Sequence, residues 1–270
     1  MPRAVLDVTA ILTERRGAVL AITINRPERL NALDVPSMTE LRRTVQAATV
    51  DREIRAVLLT GSGTAFCAGG DVGTMDEHRE RGSLTPLFHE LTGEQETTVR
   101  DLVMMPKPVV AALPGVAAGG GFSLALACDW RIASESAVLV PAFPGLGAVP
   151  DGGLTYFLPH YLGIGLAQEL LFTNARVSAA RARELGLVHE VVAPDQLLPR
   201  AWVRAEELAQ GPTLAYGWMK RLMVSAFGAS LETQMRLERQ GMVEATEHGE
   251  LPEGIRAFRE RRPPRFPPPA

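Results

Sequence analysis

Residues 108–123 read PVVAALPGVAAGGGFS, a short apolar run that passes into a cluster of glycines. The first part, Pro108 to Leu113, predicts a buried strand. The loop Pro114 to Gly121 follows, and a helix is predicted from Phe122 to Cys128. Glycines at such a junction leave main-chain N–H groups uncovered at the positive end of the helix. That arrangement suits a phosphate or a developing oxyanion.

The same order of strand, loop and helix recurs on both sides of this stretch and predicts an α/β layered core. After about Ala193, apolar residues recur at three- and four-residue spacing, which predicts a helical last quarter. The basic, proline-rich tail at 261–270 is expected to be polyproline-like or disordered. Predicted strands are Ala18 to Ile24, Ala56 to Thr60, Asp129 to Ala133 and Ala137 to Val140; predicted helices are Val35 to Ala48, Glu90 to Met105, Leu197 to Gln210, Thr213 to Phe227 and Leu231 to Glu247.

Composition narrows the class of protein. The 270 residues are 46% hydrophobic and 22% charged, as in a soluble globular chain of one large domain or two modest ones. A formal net charge of −3 provides no field that would attract a nucleic acid. Cys67 and Cys128 lack metal-like spacing and indicate a reduced, intracellular protein. Because no apolar run reaches membrane-spanning length and Met1 to Ala10 lacks a signal-peptide pattern, we expect a cytoplasmic location.

A second glycine-rich segment, Thr64 to Asp71, reads TAFCAGGD and follows the predicted strand at 56–60. From its residues alone it is either a tight strand-to-helix turn or a loop whose N–H groups hold an oxygen atom. The segment at 115–123 fails the dinucleotide-binding spacing, because Leu124 stands where a glycine is needed. It is no P-loop either, since no Gly-Lys-Ser/Thr follows.

Two further candidates carry chemistry. Gly121 to Ala125 nearly matches the G-x-S-x-G elbow of serine hydrolases, and Asp151 and His189 follow in the order of a triad. Ser123 is otherwise a small residue on a buried helix face. Asp151, between Pro150 and two glycines, is either a helix N-cap or a carboxylate in an apolar cleft, where loss of water favours proton transfer.

Five segments together resemble the crotonase, or enoyl-CoA hydratase/isomerase, superfamily in order and spacing. The resemblance covers about residues 8–266. It implies an acyl-CoA enzyme with an α/β spiral core of strand-strand-helix units over 1–195. A C-terminal helical region at 196–262 would build homotrimers, often paired into homohexamers, and a proline-rich tail would occupy 263–270. The five segments are NRPERLNAL at 25–33, FCAGGD at 66–71, GVAAGGG to ACDWRIA at 115–133, VPDGG at 149–153 and EGIRAF at 253–258.

The resemblance also assigns roles to single residues. The N–H groups of Gly70 and Gly120 would form an oxyanion hole for the thioester carbonyl, where one donor can contribute about 3 kcal/mol. Coenzyme A would arrive as part of the substrate, with no separate cofactor and no metal. For the arginines among the CoA contacts, solvated surface side chains are the alternative. Those contacts would be Ala68, Gly69 and Asp71 on the adenine side, Arg26 and Arg29 at the phosphates, and Phe258 and Arg262 closing over CoA.

Departures from the family pattern decide the expected reaction. Hydratases of the family carry two glutamates that activate water, and this chain has Ser123 and Phe143 at those positions. Asp151 matches the aspartate of the isomerase branches and the nucleophile of the aryl-CoA dehalogenase branch. We expect double-bond isomerisation in fatty or aromatic acid metabolism, with Asp151 as acid/base and Phe143 as a wall that excludes water. The alternatives are hydration by another route, dehalogenation or thioester hydrolysis through Asp151, and acyl-CoA binding without catalysis.

Overall fold

A computed structural model describes residues 9–267, which form two β-sheets and the helices packed around them. The strands are β1 (Ile11–Arg16), β2 (Val19–Ile24), β3 (Ala56–Gly61), β4 (Ala65–Cys67), β5 (Val109–Leu113), β6 (Val116–Ala118), β7 (Trp130–Ser134), β8 (Val138–Val140), β9 (Val177–Ser178) and β10 (Glu190–Val192). The helices are α1 (Val35–Val50), α2 (Val72–Glu80), α3 (Leu84–Met104), α4 (Gly120–Ala127), α5 (Leu154–Leu162), α6 (Ile164–Phe172), α7 (Ala179–Glu184), α8 (Leu197–Ala209), α9 (Thr213–Ser225), α10 (Leu231–Glu247) and α11 (Glu250–Glu260).

The larger sheet has the strand order β1-β2-β3-β5-β7-β10, and the smaller sheet has the order β4-β6-β8-β9. Apart from the antiparallel pairs β1–β2 and β8–β9, neighbouring strands are parallel. Three times the chain runs through a strand of the larger sheet, then a strand of the smaller sheet, then a helix: β3-β4-α2, β5-β6-α4 and β7-β8-α5. The predicted spiral of strand-strand-helix units is therefore confirmed.

Several element boundaries differ from those predicted. Both glycine-rich loops contain a strand of three residues, β4 and β6, too short to show a hydrophobic period. Strand β1 was not predicted, because five of its six residues are exposed and it lacks an apolar alternation. Helix α4 begins at Gly120 rather than Phe122, and α3 begins at Leu84 rather than Glu90.

Apolar side chains fill both faces of the larger sheet. On one face α8 packs through Leu197, Ala201 and Trp202 against residues of β2, β3, β5 and β7. The other face belongs to the main core, to which α1, α3, α4 and the smaller sheet contribute. The first C-terminal helix thus shares a core with the sheet, and the predicted boundary at residues 195/196 stays a prediction.

A buried lysine attaches α9 to the core. Lys220 is 6% exposed, and its ammonium group donates to the carbonyl oxygens of Leu102 and Lys107 at 2.9 and 3.0 Å. It also pairs with Asp129 Oδ2 at 2.7 Å, and the same oxygen accepts the Val109 N–H at 2.8 Å. Helix α9 is therefore held to the end of α3 and to the strands β5 and β7.

Both cysteines are buried inside this core as free thiols. Cys67 ends β4 and Cys128 follows α4. Burial raises the pKa of each thiol to about 12. Neither is poised as a nucleophile, because a reactive cysteine needs a lowered pKa.

The ends of the chain complete the description. Residues 263–267 of the proline-rich tail form no helix or strand, while residues 1–8, within the segment examined for a signal peptide, and residues 268–270 lie outside the described residues. Within residues 9–267, no helix is both long and apolar enough to cross a membrane.

Candidate active site

Two glycine-containing loops lie side by side at the carboxyl ends of β4 and β6. These strands pair in parallel, so the chain leaves both at the same edge of the smaller sheet. A Cβ atom built on Gly69 would lie 2.8 Å from the Ala118 carbonyl oxygen and 3.3 Å from the Gly120 nitrogen. Gly69 has φ +93°, which favours glycine as well. Only glycine therefore lets the two loops approach this closely.

The amides of Gly70 and Gly120 lie in these adjacent loops. Gly120 is the first residue of α4, so its N–H has no acceptor within the helix. Gly70 forms a bridge with Leu33, and the bridge bonds use the Gly69 carbonyl and the Asp71 N–H instead of the Gly70 N–H. Within residues 9–267 neither amide has a hydrogen-bond acceptor. Both residues line one cavity, and two free donors there can together hold one oxygen atom that gains negative charge.

Asp151 lies in the loop between β8 and α5. Its Oδ1 accepts a hydrogen bond from Gln95 Nε2 at 3.1 Å, and its backbone carbonyl accepts one from the Ser123 hydroxyl at 2.8 Å. Burial raises the pKa of Asp151 to about 6, although the Gln95 hydrogen bond opposes this. The N-cap of α5 is Gly153, and no side chain caps that helix. The capping alternative for Asp151 is therefore wrong.

One cavity of about 930 Å³ joins the two loops and Asp151. Of its two acidic lining residues, Asp76 is exposed and pairs with Arg79 at 2.7 Å, whereas Asp151 is half-buried. The remaining wall is mainly apolar, so an uncharged hydrocarbon group fits beside Asp151. The apolar side chains are Val72, Met75, Leu84, Phe88, Leu91, Val140, Phe143, Leu146 and Val149.

Comparison of the sequence with models of protein families agrees with this arrangement of two loops and an aspartate. The family model for enoyl-CoA hydratase/isomerase matches residues 14–268, almost the whole chain. The chain belongs to the enoyl-CoA hydratase/isomerase family. It is thus an enzyme of that family, and an acyl-CoA substrate is consistent with this membership.

Individual relatives of the family carry names for more than one reaction. The chain is 37% identical over 256 residues to the 1,2-epoxyphenylacetyl-CoA isomerase of Escherichia coli, covering 95% of this chain and 97% of that protein. It is also 37% identical over 246 residues to a probable enoyl-CoA hydratase of Rhodobacter capsulatus, covering 91% and 93%. The crystal structure of an enoyl-CoA hydratase from Polaromonas sp. JS666 superposes with a TM-score of 0.90 at 35% identity, covering 95% and 99%.

In this enzyme the two positions where the resemblance expects hydratase glutamates hold uncharged residues. Ser123 is fully buried in α4, and its hydroxyl donates a hydrogen bond to the backbone carbonyl of Asp151. Phe143 is 8% exposed and its ring lies on the cavity wall. Neither side chain can transfer protons as a carboxylate does.

An ion cluster holds three of the predicted CoA contacts of this family member. The Asp71 carboxylate pairs with Arg26 at 3.2 Å and Arg29 at 3.0 Å, and it accepts the N–H groups of Gly73 and Thr74 as the N-cap of α2. Asp71 is 4% exposed and does not line the cavity. Its side chain therefore stabilises the loop at Gly70, and a contact of this segment with the adenine stays a prediction.

The two arginines of that cluster differ in what they can reach. Arg26 also pairs with Asp34 at 2.8 Å and donates to the Ala32 carbonyl, so its guanidinium already has protein partners, and its contact with a CoA phosphate stays a prediction. Arg29 has a side chain that is 51% exposed, and its contact with a CoA phosphate stays a prediction. Ala68 and Gly69 line the cavity as expected.

The predicted closure by Phe258 and Arg262 is not found within one chain. Phe258 is exposed on α11, and Arg262 pairs with Glu253 at 2.7 Å. The Glu250 carboxylate holds the start of α9, while Arg55, just before β3, binds the tail at Phe266. These contacts tie α11 to the start of α9 and the tail to the amino end of β3, and closure of Phe258 and Arg262 over CoA stays a prediction.

No serine-hydrolase triad is assembled. The Ser123 hydroxyl donates to the Asp151 backbone, and His189 Nδ1 accepts the Arg131 N–H at 3.0 Å while its ring stacks on Trp130. The near match to G-x-S-x-G is therefore a structural coincidence, since the base does not face the hydroxyl.

Sequence reasoning missed Gln95. This residue of α3 is 4% exposed, lines the cavity and donates to Asp151, yet its neighbourhood in the chain has no motif. An uncharged polar residue at a buried helix position, beside Leu91 and Val99, is the one signal that could have identified it.

Proposed function

We propose that the chain is an acyl-CoA isomerase that moves a double bond within an enoyl thioester. One observation carries the proposal: the half-buried carboxylate of Asp151 lines a cavity that is also lined by Gly70 and Gly120, whose amides are free. Ser123 and Phe143 supply no second carboxylate for adding water. A single acid/base beside an oxyanion hole suffices for moving a proton from one carbon to another.

The steps follow from these groups. The thioester carbonyl oxygen accepts hydrogen bonds from the Gly70 and Gly120 amides, which makes the hydrogens on the carbon chain next to it more acidic. Asp151 removes one proton, and the electron pair of that C–H bond shifts into the chain as a dienolate whose oxygen stays in the amide pair. The protonated Asp151 returns the proton at a different carbon, so atoms and charges balance.

The cavity wall favours return of the proton over attack by water. Phe143 and the apolar side chains around it leave few polar partners that would hold a water molecule beside Asp151. Exclusion of water also strengthens the interaction between the amide donors and the enolate oxygen.

The test compares three chains on one panel of thioesters. Purified parent, Asp151→Asn and Asp76→Asn would be assayed on 2-enoyl-, 3-enoyl- and dienoyl-CoA. We expect Asp151→Asn to lose isomerase activity about 100- to 10,000-fold, whereas Asp76→Asn, which changes the exposed acid of the same cavity, keeps it. Hydration of a 2-enoyl-CoA that survives Asp151→Asn would contradict the proposal.

The isomerase of Escherichia coli named above supports adding an aryl epoxide thioester to the panel. A covalent adduct trapped on Asp151 with an aryl-CoA would instead favour dehalogenation or hydrolysis through the same carboxylate. We further propose that the enzyme acts in the cytoplasm on fatty or aromatic acyl-CoA, without another cofactor, as a homotrimer or homohexamer.

A further inference from the structure

The side chain of Gln95 lies between the two halves of the candidate site. Its Nε2 donates to Asp151 Oδ1 at 3.1 Å and lies 3.5 Å from the Gly120 carbonyl oxygen. Within residues 9–267, no other side chain donates a hydrogen bond to the Asp151 carboxylate. The amide therefore connects the acid/base to the loop that carries one oxyanion donor.

Close packing prevents this amide from moving away. A Cβ atom on Gly120 would lie 2.6 Å from Gln95 Oε1, and one on Gly152 would collide with Gln95 Nε2. Glycine at these two positions makes the space that the amide fills. With Gln95 only 4% exposed, its orientation is set by packing as well as by hydrogen bonds.

The carboxylate and the backbone of Asp151 are held separately. The Ser123 hydroxyl fixes the backbone carbonyl at 2.8 Å, while Gln95 fixes Oδ1. Oδ2 accepts from no side chain in the described part of the chain, so it is the carboxylate oxygen that no protein side chain occupies. A substitution at Gln95 would therefore free the carboxylate to rotate and leave the loop in place.

We infer that Gln95 is a positioning residue, which holds Asp151 through Oδ1 so that Oδ2 meets the substrate beside the Gly70 and Gly120 amides. The inference rests on the proposed function, because it assigns Gln95 a role toward Asp151 as acid/base. An error of about 1 Å in the position of a catalytic group can cost about 100-fold in rate.

A donor to the ionised carboxylate has a second effect. It stabilises the charged form and so lowers the pKa of Asp151, against the rise that burial causes. Activity falls at low pH as Asp151 becomes protonated, and this part of the pH–activity profile is its acid limb. Loss of the amide would move the acid limb to higher pH. A merely structural glutamine would change stability without moving that limb.

Kinetics as a function of pH test the inference. Parent, Gln95→Met, Gln95→Glu and Gln46→Met would be assayed on a 3-enoyl-CoA thioester. Gln46 is a matched control, because its Nε2 also donates to an aspartate, Asp101, at 3.1 Å, but it does not line the cavity. We expect Gln95→Met to lower kcat about 10- to 100-fold, with KM within about threefold, and to raise the pH of the acid limb.

The other variants sharpen the result. Gln95→Glu places a second carboxylate beside Asp151, so its acid limb should lie at still higher pH, since like charges oppose ionisation. Gln46→Met should match the parent in kcat and in the acid limb. An unchanged acid limb in Gln95→Met, or losses equal to those of Gln46→Met, would overturn the inference.

A readout without turnover separates this inference from the proposed function. The pKa of Asp151 follows from how the stability difference between parent and Asp151→Asn varies with pH, measured with and without Gln95→Met. An identical Asp151 pKa in both backgrounds refutes the role of Gln95, even if isomerisation needs Asp151. Full isomerase activity in Asp151→Asn refutes the proposed function, whatever the two pKa values are.

Discussion

Asp151 must lose its proton before it can accept one from a substrate. Because burial raises its pKa to about 6, the fraction that is ionised falls steeply as the pH drops below that value. We expect kcat for isomerisation to be flat above pH 7 and to fall about tenfold for each pH unit below about 6. Steady-state assays across this range would measure the limb. A limb near pH 4 would show that the acid/base is a solvated carboxylate instead.

The same burial predicts that Asp151 costs the folded state stability. An unfolded aspartate has a pKa of about 3.9, so between about pH 4 and 6 the folded chain binds more protons than the unfolded chain. Stability therefore falls as the pH rises through this window, and the penalty is complete above about 6. Asp151→Asn, which keeps an acceptor for Gln95, should gain about 2 kcal/mol more at pH 7.5 than at pH 4.

Urea unfolding of parent and Asp151→Asn at the two pH values would measure that difference. Asp76→Asn is the control, because it makes the same substitution at the exposed acid of the same cavity. An Asn variant less stable than the parent at pH 7.5 would contradict the prediction.

At this scale the sequence predicts some residues and misses others for physical reasons. Gly70, Gly120 and Asp151 lie in short motifs, and the structure brings them to one cavity. Gln95 gains its meaning only from a contact 56 positions away in the chain. The ion pair between Arg26 and Asp71 was not predicted either, because a charge in a motif does not reveal which other charge of the protein lies beside it.

Helix α4 shows how element packing depends on glycine. A Cβ atom at Gly121 would lie 2.8 Å from the Cys67 carbonyl carbon, so α4 touches the backbone of β4. We expect Gly121→Ala to lower the free energy of unfolding by about 1 to 3 kcal/mol, because backbone must move to admit the methyl group. Activity should fall as well, since the same movement displaces Gly120. Thermal unfolding and the isomerase assay would measure both.

Gly93 in α3 is the matched control for that change. Nothing lies within 4 Å of a Cβ atom at this position, so Gly93→Ala should stabilise the helix by about 0.5 to 1 kcal/mol. Equal loss of stability in both variants would mean that α4 does not press on β4 as described.

Elements with a strong hydrophobic period were predicted well, and short ones were not. The periodicity of α1 and the apolar run of β3 predicted both elements to within a few residues. Strands β4 and β6 carry only three residues each, and their structure depends on pairing with each other across the sheet. Pairing between distant segments leaves no local period in the sequence.

For the molecule as a whole, Lys220 is the main polar link between α9 and the core. Lys220→Met would leave the Leu102 and Lys107 carbonyls without their donor and Asp129 without its counter-ion. We expect a loss of about 3 kcal/mol in the free energy of unfolding. Chemical denaturation would measure the loss.

The exposed pair Arg181 and Glu184 provides the comparison. Its two side chains are 55% and 65% exposed at 2.8 Å, so Arg181→Met should cost less than about 1 kcal/mol. A similar cost for the two variants would show that the buried link contributes no more than a surface ion pair.

The burial of Cys67 and Cys128 has a practical consequence. The thiolate is the form that attacks an alkylating agent, and both thiols are buried with a raised pKa, so a short exposure to such an agent should leave both cysteines unmodified while the chain is folded. Cys67 also lies within hydrogen-bonding distance of the Gly69 N–H, directly beneath the two donor loops. Alkylation at Cys67 before Cys128 would reveal opening of these loops alone, and simultaneous alkylation would reveal global unfolding. The order in which the two thiols react would therefore report whether the loops at Gly69 and Gly120 open before the whole chain unfolds.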